Sequence, residues 1–133
     1  MSVAGTVRAF VVWTAILALA IANGGLREAV LVPALGPVAG LVASGLLLSC
    51  LILLVAYLTL PWIGARADGT LLRIGLGWLA LTLAFEFSFG LLRGKSLDAI
   101  LDAYTFSGGN LWLVVLAVTA LAPWLAARLR KWP

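Results

Sequence analysis

Long apolar runs alternate along the chain with short clusters of polar and turn-forming residues, and the runs have the length of a membrane crossing. A helical span needs about 20 apolar residues at roughly 1.5 Å of rise each. Four segments meet that requirement: about Val3 to Ala22, Val38 to Leu60, Leu71 to Gly90 and Leu111 to Leu129. The second is closed by Pro61, Trp62 and the polar turn Ala65-Arg66-Ala67-Asp68-Gly69-Thr70. None alternates as a barrel strand would, and unbroken leucine-rich runs favour helix, which satisfies its own backbone in lipid. The expected fold is an all-α membrane protein, with residues 1–133 forming a single polytopic domain.

Two connections are too long and too patterned to be plain turns. In the first, Asn23 to Pro37, an asparagine and two glycines are expected to end the first span. The short apolar segment that follows, interrupted by Pro33, should then lie in the interface or dip in and return, with Arg27 and Glu28 at its polar edge. In the second, Leu91 to Asn110, Ser96 can cap a helix on which Leu97, Ile100, Leu101 and Tyr104 share one face. Lys95, Asp98 and Asp102 fall on the other face, which predicts a second interfacial helix with a charged row. Two aspartates four residues apart offer too few oxygen ligands for calcium or magnesium, so no metal is expected.

Composition strengthens the class assignment and removes much chemistry. Of 133 residues, 64% are hydrophobic and 11% charged, with a mean hydropathy of +1.16, against roughly 45–50% and 25% in soluble chains. There is no histidine and one cysteine. The commonest neutral-pH base and metal ligand is therefore missing, and a lone Cys50 among leucines reads as a small apolar filler. No cofactor is expected.

Charge placement predicts orientation, because Lys and Arg are retained in the cytoplasm. Four spans put both termini on one side. That side carries Arg8, Arg66, Arg73, Arg128, Arg130 and Lys131 with one acid, Asp68. The other carries Arg27, Arg93 and Lys95 with Glu28, Glu86, Asp98 and Asp102. Both termini are thus expected in the cytoplasm, and Trp62, Trp78, Trp124 and Trp132 near that boundary, with Trp112 near the opposite one, fit an aromatic belt. Arg8, a short apolar stretch and Ala20-Ile21-Ala22 imitate a secretory signal, but the segment reads as a retained span. The bases are dispersed at helix ends, which suits anionic lipid and not a nucleic acid.

One acid stands out. Glu86 lies among Phe85, Phe87 and Phe89, about one turn inside the end of the third span. A carboxylate costs about 2.5–3.5 kcal/mol at the centre of a spanning helix and less near its end, so a partner is expected. Arg93, seven residues on, and Arg27 from the first connection are the candidates, forming a structural Glu–Arg pair. The alternative is a proton- or ion-responsive group. Gly36, Gly40 and Ser44, at four-residue spacing, predict close approach of another helix, from this chain or a second copy.

The stretches Ala22-Asn-Gly-Gly-Leu-Arg-Glu28, Phe85-Glu-Phe-Ser-Phe-Gly90 and Asp102-Ala-Tyr104, leading to Leu111-Trp112, resemble a set of small bacterial four-helix inner-membrane proteins. The resemblance covers most of the chain and implies a multi-pass inner-membrane location, but no activity to transfer. In size and span count the chain is also similar to small multidrug-resistance transporters and fluoride channels. It departs from the former, which place their essential glutamate in the first helix, and it lacks the Asn-rich second-helix pattern of the latter.

The expected function is that of an accessory, assembly or scaffold subunit acting through helix and interfacial contacts, with the bilayer and a membrane-protein partner or a second copy as its associates. An oligomeric permease or channel subunit using Glu86 is the alternative, and a membrane enzyme on a lipid or envelope substrate the third. The residues expected to carry binding or ion coupling are Glu86, Arg93, Arg27, Glu28, Asn23, Asp98, Asp102 and Tyr104.

Overall fold

The computed structural model describes residues 3–64, 67–98 and 111–130. Among these residues every regular element is helical: α1 (Val3–Leu26), a π-helical turn (Arg27–Leu31), α2 (Val32–Leu35), α3 (Pro37–Ile63), α4 (Asp68–Leu92) and α5 (Trp112–Leu129). Four helical stretches are long and apolar enough to cross a membrane: Val3–Leu35, Pro37–Ile63, Asp68–Leu92 and Trp112–Leu129. That is the pattern of a multi-pass membrane protein.

The first helix does not stop at Asn23-Gly24-Gly25 as the sequence suggests. It runs on through both glycines and the π-helical turn to Leu35, so the short apolar segment before Pro33 extends a long helix. Two physical causes combine. In apolar surroundings an unwound backbone would leave N–H and C=O groups without partners, a larger penalty than the roughly 1 kcal/mol of a helical glycine. The proline, which cannot donate to the carbonyl four residues back, is accommodated by widening the turn before it, and the Val32 N–H bonds to the Arg27 carbonyl five residues back.

The chain reverses at Gly36, whose φ of 92° lies where a side chain would be strained. Pro37 then starts α3, so α1, α2 and α3 form one long hairpin. At the other end of α3, Gly64 adopts φ 83° and its N–H bonds to the Leu60 carbonyl at 2.9 Å, closing the helix before the connection to α4.

The four spanning helices form a ring in the order α1, α3, α5, α4. Along α3 the buried positions Gly40, Ser44, Leu48, Ile52, Ala56 and Leu60 recur every fourth residue. Of these, Leu48, Ile52, Ala56 and Leu60 meet Val12, Trp13 and Ile16 of α1, Leu71, Ile74 and Trp78 of α4, and Val115, Ala122 and Ala126 of α5 in one core. The remaining faces expose large apolar residues such as Phe10, Leu54, Leu58 and Leu76. Helices apolar on every face suit a lipid environment, not water.

Small residues set the closest contacts. A Cβ built on Gly75 of α4 would lie 1.8 Å from the Ala120 carbonyl oxygen of α5, so these two backbones touch. Similarly, a Cβ on Gly45 would meet the Leu111 side chain at 2.6 Å, and one on Gly40 would meet the Val32 backbone at 2.7 Å. Helices α1 and α4 run the same way and are joined by indoles. Trp78 Nε1 donates to the Ala9 carbonyl at 2.9 Å, Trp13 Nε1 to Thr82 Oγ1 at 3.0 Å, and Thr82 in turn to the Trp78 carbonyl at 2.7 Å.

At the Arg8 end, guanidinium groups satisfy main-chain carbonyls in the last two turns of α3. Arg8 donates to the Trp62 carbonyl at 3.0 Å and lies 5.4 Å from the centre of the Trp62 ring. Arg130 donates to the Tyr57 carbonyl at 2.7 Å. Arg128 reaches Asp68 at 3.5 Å across an exposed surface and covers the Trp124 ring.

Candidate functional site: a polar cavity at the Glu86 end

Among the described residues the opposite end of the ring is open. Between the four helices lies a cavity of about 400 Å³, walled by Asn23 and Gly24 of α1, Arg27 of the π-helical turn, Ser44 and Gly45 of α3, Phe85, Glu86 and Phe89 of α4, and Trp112 of α5, with Glu28, Arg93 and Lys95 also lining it. The cause is local. α1 and α4 are held together lower down by Trp13 and Trp78, and above that level they carry glycines and polar residues in place of the interlocking apolar side chains of the core. Ile21 and Phe89 line the cavity and are 61% and 47% exposed, so the two helices leave a lateral opening there.

Five of the residues singled out from sequence, Asn23, Arg27, Glu28, Glu86 and Arg93, come together around this space. Asp98 is exposed and does not line it. Asp102 and Tyr104, with most of the second interfacial segment, lie outside the described residues. Of the small-residue series, Gly36 is a hinge with nothing within 4 Å of a built Cβ, Gly40 abuts Val32 of the same chain, and Ser44 turns to Asn23. Cys50 is exposed on α3.

The polar partnerships differ from the expected Glu–Arg pair. Glu86 Oε2 accepts a hydrogen bond of 2.7 Å from Trp112 Nε1, joining α4 to α5 at the cavity wall. Arg27 pairs with its neighbour Glu28 at 3.2 Å. Arg93 extends along its own helix, its guanidinium 5.4 Å from the centre of the Phe89 ring. Among the described residues neither Arg93 nor Lys95 forms an ion pair. The helical geometry explains Arg93: it follows the last α-helical residue, Leu92, and at that point the aromatic face four residues back is within reach.

Asn23 is the least expected element. Its side chain does not cap a helix end; it is 4% exposed inside the bundle, with Oδ1 accepting from Ser44 Oγ at 2.5 Å. Its Nδ2 is buried without a hydrogen-bond partner. A buried amide donor left in this state costs about 1–3 kcal/mol, which an acceptor oxygen in the adjoining cavity would recover.

Below the cavity the bundle closes. A void of about 20 Å³ bounded by Trp13, Ile16, Ile52 and Thr119 has room for about one water. Beneath it the side chains of Ala56, Leu60, Leu71, Ala122 and Ala126 are fully buried. The cavity is a dead end. Sequence reasoning missed Ser44 and Trp112 as polar partners, although each stands one turn from a glycine or a helix start where an amphipathic side chain can turn inward. Comparison of the chain with sequence families, with curated proteins and with solved structures yields no match.

Proposed function

We propose that the chain is a small accessory subunit of the bacterial inner membrane, with both termini cytoplasmic, that acts by holding an amphiphilic ligand in the cavity at its Glu86 end. The carrying observation is the closed floor: a space of about 400 Å³ that opens at one end and sideways, above a packed core, suits binding better than passage. Basic residues at the Arg8 end support the orientation, since that end holds Arg8, Arg73, Arg128 and Arg130. Polar groups around an apolar wall support an amphiphile over a small ion.

The oligomeric permease is the second reading, favoured by the position of the Glu86 carboxylate in the cavity wall. Two variants separate the readings. Gly24→Leu fills the cavity without a backbone clash, because a Cβ there meets only the Arg27 side chain at 3.7 Å. For a binding subunit, native mass spectrometry of the detergent-purified protein shows an amphiphile bound one to one, absent from Gly24→Leu, and proteoliposomes show no flux. Proton or ion flux that collapses in Glu86→Gln would overturn the binding reading in favour of transport.

A further inference from the structure

We infer that the ligand of this cavity is an anionic phospholipid, its phosphate held by Arg93 and Lys95 and one of its ester oxygens accepting from Asn23 Nδ2. The inference rests on the binding reading above and adds the ligand's chemical class. Three observations carry it. Of the three cations that line the cavity, Arg27 is neutralised by Glu28, while Arg93 and Lys95 have no ion pair among the described residues. The described lining holds two acids against these three cations, Glu28 paired with Arg27 and Glu86 receiving the Trp112 indole, so that wall is net positive.

The second observation is the orphaned Asn23 amide. It lies one helical turn deeper along α1 than Arg27, below the level of the charged rim, where a phospholipid carries its ester carbonyls beneath its phosphate. A free phosphate ion would answer to the rim cations and leave this donor unmet. The third is the lateral opening between Ile21 and Phe89. It gives acyl chains a way out to the apolar faces of α1 and α4, so only the head and glycerol need the enclosed volume. Guanidinium and ammonium groups then supply charge-assisted hydrogen bonds, about twice as strong as neutral ones.

The test uses the full chain, delipidated in a neutral detergent and titrated separately with phosphatidylglycerol, phosphatidylcholine and inorganic phosphate, with bound mass and unfolding temperature as readouts. The expected result is a one-to-one phosphatidylglycerol complex favoured about tenfold over phosphatidylcholine, which offers the same phosphate but carries a choline cation that Arg93 and Lys95 repel. Arg93→Gln/Lys95→Gln should bring the two lipids to parity. Asn23→Leu should weaken both lipids alike, and Arg73→Gln, at the far end, should change neither. Equal binding of the two lipids by the unaltered protein, abolished by Gly24→Leu, would overturn the headgroup assignment while leaving the binding reading intact. Displacement of phosphatidylglycerol by millimolar phosphate would overturn the lipid as the source of the anion. Lipid binding that is absent, or indifferent to Gly24→Leu, would remove both the inference and the reading beneath it.

Discussion

Trp112 donates its indole N–H to the Glu86 carboxylate at 2.7 Å, and this contact ties the first turn of α5 to the last two turns of α4 at the cavity wall. It helps retain an acid nearly two turns from the end of α4 in a strongly apolar stretch. Trp112→Phe keeps most of the ring but deletes the donor. We expect a loss of about 1.5–2 kcal/mol, the lower part of the range for a hydrogen bond to a charged group, since both side chains are partly exposed. Glu86→Gln keeps an acceptor and should lose less. Thermal unfolding in detergent, followed by near-ultraviolet circular dichroism, reads both.

Gly75 and Gly77 offer a comparison within one helix. A side chain at Gly75 collides with the Ala120 carbonyl, whereas a Cβ at Gly77 meets nothing within 4 Å. Gly75→Val should force α4 and α5 apart and cost about 3 kcal/mol or more, beyond the usual range for overpacking because the obstacle is backbone. Gly77→Ala should be neutral or stabilising by up to about 1 kcal/mol, since it relieves the penalty of a helical glycine at no steric cost. Equal effects in a denaturant titration would contradict the observed α4–α5 contact.

Arg130 and Pro61 form a coupled pair through a third group. Pro61 has no N–H to give the Tyr57 carbonyl four residues back, and Arg130 Nη1 donates to that carbonyl at 2.7 Å. Arg130→Met should therefore cost about 0.5–1 kcal/mol in the natural background and less once Pro61→Ala has restored the main-chain donor. A double-mutant cycle measures the difference, and strict additivity would mean that the two residues act independently.

The two buried indoles on the α1–α4 seam should respond alike. Trp78→Phe removes the donor to the Ala9 carbonyl, and Trp13→Phe removes the donor to Thr82. Each should cost about 0.6–1.7 kcal/mol, the range for hydrogen bonds between spanning helices, with some further loss of packing. Because these bonds hold α1 against α4 below the cavity, both variants should also increase protease cleavage or hydrogen exchange in α1 before the rest of the bundle responds.

The candidate site was only partly legible in the chain. Glu86 announced itself because a carboxylate among phenylalanines is costly in lipid, and Arg27, Glu28, Arg93 and Asn23 because they cluster near the ends of apolar runs. What misled was local chemistry taken alone. Asn23-Gly24-Gly25 carries every mark of a helix stop, yet the helix continues, because beside Ser44 the asparagine has a partner on another helix and the apolar surroundings penalise an open backbone. Likewise Arg93 could be placed on the same helical face as Glu86, but among the described residues a donor reaches the carboxylate from Trp112, twenty-six positions away in sequence.

Sequence by itself determined the material of this protein: four apolar helices, the approximate ends of all but the first, and a sorting of polar residues toward helix ends, all of which follow from the cost of placing charge and unsatisfied backbone in hydrocarbon. Tertiary structure alone decided which faces meet and so which polar groups share a cavity. The physical reason is that these helices are apolar on every side, so no hydrophobic stripe marks an inner face. Their rotation is set by where a backbone can approach, as at Gly75 and Ala120, and by the few hydrogen bonds that cross from one helix to the next, as from Ser44 to Asn23.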